Sequence, residues 1–113
     1  LQPEVQGEAQ LFAFAFNSAD FSAHEGEAAA LVPAAKVAKT ITVHGYTDSP
    51  VIDVPNRSIA LARAMAARKF LMEHGIPAEK IKVRFSSAGN FVADNTTDSG
   101  RAQNRRVEIR MAY

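Results

Sequence analysis

Four segments of the chain alternate apolar with polar residues, which is the pattern of a half-buried β-strand. Phe12, Phe14 and Phe16 recur at every second position of the first segment, and β-branched residues dominate the start of the second. Because successive side chains of a strand point to opposite faces, this spacing predicts strands with one face in the core. The predicted strands cover residues 11–16, 40–46, 81–85 and 106–111.

The segment between the first two predicted strands has the signals of a helix. Ser22 is followed three residues later by Glu25, which is the spacing of a capping box. We therefore predict a helix over residues 22–38. Pro33 lies inside this span and predicts a kink or a break, because proline removes one helical hydrogen bond.

A second helix is predicted between the second and third strands. Either Asn56 or Ser58 caps its start, and its body is rich in Ala and Leu, which have high helix propensity. Gly75 is the expected stop after His74. The two prolines of residues 47–55 predict a loop before this helix.

The predicted elements follow the order β-α-β-α-β-β, with a polar loop over residues 86–100 before the last strand. Two amphipathic helices on one sheet face bury both apolar stripes, so we predict an α+β fold with two main helices packed on one face of a four-stranded mixed sheet. Residues 1–113 form one predicted domain, with residues 1–9 as an N-terminal linker edge. The chain starts at Leu1, and we expect a domain excised from a longer protein.

Composition narrows the possible functions. The chain has 47% hydrophobic and 22% charged residues, which is typical of a globular domain. It contains no cysteine, which excludes disulfide scaffolds, thiolate zinc sites and cysteine nucleophiles. No apolar run approaches the roughly 20 residues of a transmembrane helix.

The sequence has no motif for catalysis or for a metal. His24, His44 and His74 are far apart and belong to no metal-binding pattern. The serines lie outside nucleophile motifs, and no glycine cluster is of the phosphate-binding kind. We therefore predict a protein that is not an enzyme and has no metal and no cofactor.

Basic residues concentrate near the carboxyl end, but the pattern does not favour nucleic acid. The net charge is only +1, and Glu108 interrupts the basic cluster. No aromatic residue lies between the bases for stacking. We predict no nucleic-acid partner. The basic cluster consists of Arg101, Arg105, Arg106 and Arg110.

Asp48 and Arg63 are the pair with the most informative chemistry. Asp48 follows the second predicted strand, and Arg63 lies on the otherwise apolar face of the second helix. Together they offer an acceptor for an ammonium and a planar fork for a carboxylate, which suits an amino-acid zwitterion. Spacing alone also allows a structural Asp–Arg ion pair between loop and helix, and it favours that interpretation.

Several motifs resemble those of the OmpA-like peptidoglycan-binding domains, a family that includes the carboxyl-terminal domains of OmpA, Pal and MotB. The resemblance extends over nearly the whole chain, on the same order of elements. The matching segments are Gly45-Tyr46-Thr47-Asp48, Asn56, Leu61-Ala62-Arg63-Ala64, residues 14–21 and residues 100–108.

The resemblance implies a ligand and its site. The ligand is the diaminopimelate residue of the peptidoglycan stem peptide, whose ammonium would bind Asp48 and whose carboxylate would bind Arg63. This pocket would lie at the rim of the core, so substitutions in it should change stability little. The other implied ligand-binding residues are Asn56, which shapes the loop, Thr47, through its backbone, and Asn17 and Arg101 in the pocket wall.

The last matching motif is expected to have a structural role. Asn104, Arg105 and Arg106 are expected to fix the last loop rather than contact the ligand. Arg105 and Arg106 point to opposite faces of a strand, so at most one of them reaches the pocket.

The resemblance implies non-catalytic binding of peptidoglycan, anchoring a larger envelope protein to the cell wall. The expected location is the periplasm of a Gram-negative cell, with any outer- or inner-membrane attachment provided by segments outside this sequence. An alternative is an OmpA-like fold that has lost the ligand and binds envelope proteins. Val51, Ile52 and Val54 are predicted to cover the core, or alternatively to form such a protein contact.

Overall fold

The computed structural model describes residues 6–113 and has an α+β fold. Short 3₁₀ segments at Ser22–His24, Ala29–Leu31 and Ala78–Lys80 lie between the main elements. The strands are β1 (Gln10–Ala13), β2 (Thr40–Tyr46), β3 (Ile81–Ser86) and β4 (Arg106–Ala112). The helices are α1 (Glu25–Ala28), α2 (Val32–Val37), α3 (Val54–Glu73) and α4 (Asp98–Asn104).

The strands form one mixed sheet in the order β1-β4-β2-β3. β2 is parallel to β3, and β4 is antiparallel to both β1 and β2. The long helix α3 connects the parallel pair, because parallel strands need a crossover. The predicted fold class and the mixed sheet are confirmed.

The core lies between one sheet face and the helices. Ile41 and Val43 of β2, Val107 and Ile109 of β4 and Leu71 of α3 are essentially inaccessible to solvent. The inward-facing apolar positions of the last strand are therefore confirmed. The opposite sheet face carries polar and charged side chains and has no helix on it among residues 6–113.

The first strand is shorter than predicted. It ends at Ala13, although the backbone N–H of Phe14 still donates to the carbonyl of Arg105. The chain then turns through Asn17, which has a positive φ of 55°, and Phe16 is left 78% exposed. The aromatic alternation over residues 11–16 does not detect this turn.

The predicted first helix is broken into short pieces, and its capping box does not form. The carboxylate of Asp20 accepts a hydrogen bond from the backbone N–H of Ser22 at 2.9 Å, so the acceptor lies two residues before the predicted cap. The break precedes Pro33, which occupies the first turn of α2, where its missing N–H costs nothing.

The start of α3 and the whole of α4 differ from the prediction. Asp53 caps α3 through a hydrogen bond from the backbone N–H of Asn56, so the helix begins at Val54 and neither Asn56 nor Ser58 is its cap. The end of the predicted polar loop and the four residues after it form α4, where the hydroxyl of Thr97 accepts from the backbone N–H of Gly100.

Part of the predicted linker is attached to the sheet. The backbone N–H of Gly7 donates to the carbonyl of Met111, and Gln6 forms an isolated bridge with Ala112. Residues 1–5 lie outside the described residues. Within the described chain, no helix is long and apolar enough to cross a bilayer.

Candidate functional site

A cleft opens where β2 ends and α3 begins. Its inner part has a volume of about 110 Å³, and its outer part has a volume of about 600 Å³. Both parts share Phe16, Asp48, Asn56 and Arg105 in their walls, so the smaller cavity adjoins the larger cleft. All six residues that the sequence assigns to the site line one part or the other: Asn17, Thr47, Asp48, Asn56, Arg63 and Arg101.

Gly45 brings the strand and the helix close together at this cleft. A Cβ atom at this position would lie 1.9 Å from the carbonyl oxygen of Ala60 and 3.0 Å from the backbone nitrogen of Ala64. Only glycine allows this approach of β2 to α3. The contact sets the distance between the end of β2, where Asp48 follows, and the helical turn that carries Arg63.

Arg63 is the most deeply buried charged residue of the cleft, with 1% of its surface exposed. Its Nε donates to the carbonyl of Ser18 at 2.8 Å, and its Nη1 donates to the carbonyl of Tyr46 at 2.9 Å. A longer bond of 3.4 Å joins Nη2 to the carbonyl of Ala15. The expectation of a rim position is therefore wrong, because this guanidinium joins the turn after β1 to the end of β2.

The charge of Arg63 persists despite its burial. Desolvation lowers its pKa to about 10, the charge of Arg105 adds to that lowering, and the charge of Asp48 opposes it. The guanidinium is therefore protonated at neutral pH. A guanidinium has five N–H groups, so one on Nη1 and one on Nη2 donate no hydrogen bond among residues 6–113.

Asp48 pairs with Arg105 and not with Arg63. The Nη1 of Arg105 donates to the Oδ2 of Asp48 at 2.9 Å, and its Nε donates to the carbonyl of Phe14 at 3.0 Å. Oδ1 of Asp48 accepts no hydrogen bond from the residues that the structure describes. A direct Asp48–Arg63 ion pair, the alternative that spacing alone favours, is not what the structure shows.

Arg105 belongs to the cleft, although we expected it to fix the last loop. It lines both parts of the cleft, whereas Arg106 points to the opposite sheet face and contacts the ring of Tyr46 at 3.8 Å. The expectation that at most one of the two arginines reaches the pocket is confirmed. The sequence does not indicate which of the two adjacent arginines reaches the pocket. That depends on where β4 starts, and β4 starts only after Arg105.

The remaining predicted residues hold the cleft walls. Thr47 is buried, and its hydroxyl donates to the carbonyl of Ser87 at 2.8 Å. The amide of Asn56 donates to Asp53 at 2.8 Å and to the hydroxyl of Ser49 at 3.1 Å, which fixes the loop onto the helix start. The shaping role expected for Asn56 matches this geometry.

Arg101 and Asn104 both act on the loop before α4. Arg101 pairs with Asp98 and donates to the carbonyl of Asn95. Asn104 is fully buried, and its Oδ1 accepts from the backbone N–H groups of Val92 and Ala93. The expected loop-fixing role of Asn104 is therefore confirmed.

The loop between β2 and α3 does not cover the core. Val51, Ile52 and Val54 are 55%, 77% and 71% exposed, so the favoured prediction for them is wrong. Asp53 caps α3 and Val54 is its first residue, so this segment forms the start of the helix instead.

The sheet face opposite the helices, called the open sheet face below, has its own polar network, separate from the cleft. The imidazole of His44 stacks on the ring of Tyr46 at 4.1 Å between centroids and shares a 2.8 Å hydrogen bond with the hydroxyl of Ser86. Burial lowers the pKa of His44, and Arg84 and Arg106 lower it further, while Glu108 raises it. His44 is therefore neutral at pH 7.

The fold and the cleft define a small α+β domain in which the Asp48 carboxylate and the guanidinium groups of Arg63 and Arg105 line the inner cavity. The sequence pattern of the OmpA family matches residues 13–105. The chain therefore belongs to the OmpA family, as the resemblance indicated.

The alignments with named relatives cover only part of each relative. The chain is 36% identical over 72 residues to the probable lipoprotein YiaD of Escherichia coli, covering 64% of this chain and 33% of the relative. It is 35% identical over 69 residues to the peptidoglycan-binding protein ArfA of Mycobacterium tuberculosis, covering 61% and 21%. The chain thus spans a third or less of these relatives.

A solved structure agrees with the fold over most of the chain. The cell wall anchor of the T6SS from Pseudomonas aeruginosa superposes with a TM-score of 0.72 at 28% identity. The superposition covers 88% of this chain and 73% of that one.

Proposed function

We propose that this domain binds peptidoglycan non-covalently through the diaminopimelate residue of the stem peptide. The observation that carries the proposal is the arrangement of Asp48 between Arg63 and Arg105 in one cleft. The open Oδ1 of Asp48 accepts the ligand ammonium, and the guanidinium groups take the carboxylate. The inner cavity holds the amino-acid end, and the outer cleft beside Phe16 and Arg101 holds the rest of the stem peptide.

The same proposal gives the domain an anchoring role. YiaD is named a probable lipoprotein, ArfA a peptidoglycan-binding protein and the Pseudomonas aeruginosa structure a cell wall anchor. Since the chain covers only part of such relatives, we propose that it tethers a larger envelope protein to the wall, in the periplasm of a Gram-negative cell. The bound state involves no catalysis and no cofactor.

Co-sedimentation with isolated diaminopimelate-type sacculi tests this function. Wild type should pellet with the sacculi, and Asp48→Asn, which removes the acceptor charge with little change in shape, should remain in the supernatant. Arg68→Lys on α3 is the matched control and should pellet like wild type. Pelleting of Asp48→Asn to the same extent would refute the site.

A second candidate function is protein binding by a domain that has lost the ligand. The exposure of Val51, Ile52 and Val54 favours it, because contiguous exposed apolar residues mark interaction surfaces. A folded wild type that does not pellet with sacculi would select this alternative.

A further inference from the structure

The outer edge of β3 is an unpaired sheet edge. β3 is the last strand of the sheet order and pairs only with β2 among residues 6–113. In a parallel ladder, alternate residues direct their N–H and C=O groups away from the partner strand. Such an edge can accept a further strand unless the protein blocks it.

An apolar groove lies beside this edge on the helix side. Phe85 of β3 and Val54 and Leu61 of α3 line a groove of about 210 Å³, together with Arg57 and Ser58. Phe85 and Leu61 are 40% and 38% exposed, so both offer apolar surface at this groove. Apolar side chains of an added strand would enter this groove.

The other side of the same edge is basic. Lys82 and Arg84 alternate with Val83 and Phe85 along β3, so their side chains lie on the open sheet face. Both are exposed. Side chains of an added strand on this side would meet two positive charges.

From these features we infer that the edge of β3 binds an extended polypeptide segment that alternates acidic and apolar residues. The backbone pairing provides affinity, while the groove and the two basic side chains select the sequence. A second copy of this chain fits poorly, because β3 against β3 would place Lys82 and Arg84 beside their own equivalents. This inference does not depend on the proposed binding of peptidoglycan, because the edge and the cleft have no lining residue in common.

A capped eight-residue peptide of alternating glutamate and valine is a suitable probe. We expect saturable amide shifts in ¹⁵N spectra of the domain, concentrated on residues 81–86 and on Leu61. The same peptide with lysine in place of glutamate should bind about tenfold more weakly, because it meets like charges.

Variants separate strand addition from non-specific attraction. Arg84→Glu, and independently Lys82→Glu, should weaken the glutamate peptide about tenfold and strengthen the lysine peptide. Lys69→Glu on α3 makes the same change in net charge away from the edge and should leave the affinity unchanged. Leu61→Ser should weaken both peptides.

The inference is overturned if no saturable shifts occur on β3, or if they fall on the edge of β1 instead. It is also overturned if Lys69→Glu weakens the glutamate peptide as much as Arg84→Glu does, since binding would then follow net charge alone.

Discussion

The carboxylate of Asp48 is held by the guanidinium of Arg105 at 2.9 Å, with 20% and 15% of these side chains exposed. Arg105 also bonds the carbonyl of Phe14, so one side chain connects the end of β1 with the acidic group of the cleft. Arg63 lies beside this pair and, among residues 6–113, donates only to backbone carbonyls. The Asp48 carboxylate is therefore an acceptor whose position in the cleft is fixed by a neighbouring charge.

Replacing Asp48 by Asn should abolish ligand binding while the domain still folds. Loss of one partner of a desolvated charge pair costs about 2–5 kcal/mol of binding free energy. The free energy of unfolding should fall by only about 1–2 kcal/mol, because Arg105 keeps its hydrogen bond to the carbonyl of Phe14. Calorimetric titration and urea denaturation measure the two effects. Unchanged affinity would contradict the assignment of Asp48.

Replacing Arg63 by Lys should destabilise the fold as well as the complex. A single ammonium cannot reach all three carbonyls that Arg63 binds, those of Ser18, Tyr46 and Ala15. The buried carbonyls left without a donor lower the free energy of unfolding by about 2–4 kcal/mol in total. Urea denaturation measures this loss. Arg68→Lys on the same helix should change the free energy of unfolding by less than about 0.5 kcal/mol. Equal stability of the two variants would show that Arg63 has no structural role.

Adding one methyl group at Gly45 should disrupt the approach of β2 to α3. The new Cβ would lie 1.9 Å from the Ala60 carbonyl oxygen, which the backbone cannot relieve without shifting the helix. We expect Gly45→Ala to lose about 3 kcal/mol or more. At Gly26, by contrast, a Cβ would contact nothing within 4 Å, and Gly26→Ala should be neutral or stabilising by up to about 1 kcal/mol. Thermal unfolding of both variants checks this contrast.

Stability should fall on acidification as His44 becomes protonated in the unfolded state. The pKa of His44 is lowered in the folded domain, so the unfolded chain binds more protons below about pH 6.5. Stability that is present above this pH is therefore lost as the pH falls through it. His44→Gln should reduce the slope of unfolding free energy against pH between about 5 and 7. An unchanged slope would contradict a neutral His44.

Elements with a regular hydrophobic periodicity could be predicted from the sequence. Element boundaries that depend on tertiary contacts could not. The inward positions of β4 follow from alternation alone. The end of β1 does not, because the turn at Asn17 depends on carbonyls that Arg63 binds from 45 residues away. Similarly, Asp20 and Asp53 accept the hydrogen bonds that were assigned to other caps. Several polar side chains near each helix start can act as caps, and the path of the backbone before the helix decides which of them does.

The cleft shows the same division. The motif resemblance pointed to six residues, and the fold brings all of them to one cleft. It did not distinguish Arg105 from Arg106, because their roles depend on where β4 starts. It also gave no indication that Arg63 is part of the core, since an arginine on an apolar helix face is compatible with a rim or a buried position.

Calorimetric titration of the domain with a soluble stem peptide containing meso-diaminopimelate tests the central claim most directly. The same peptide with lysine in place of diaminopimelate is the control, because it lacks only the carboxylate that Arg63 and Arg105 would bind. We expect saturable binding that favours diaminopimelate by about tenfold to a hundredfold and disappears in Asp48→Asn. A folded domain that binds neither peptide, or binds both equally, would contradict the claim.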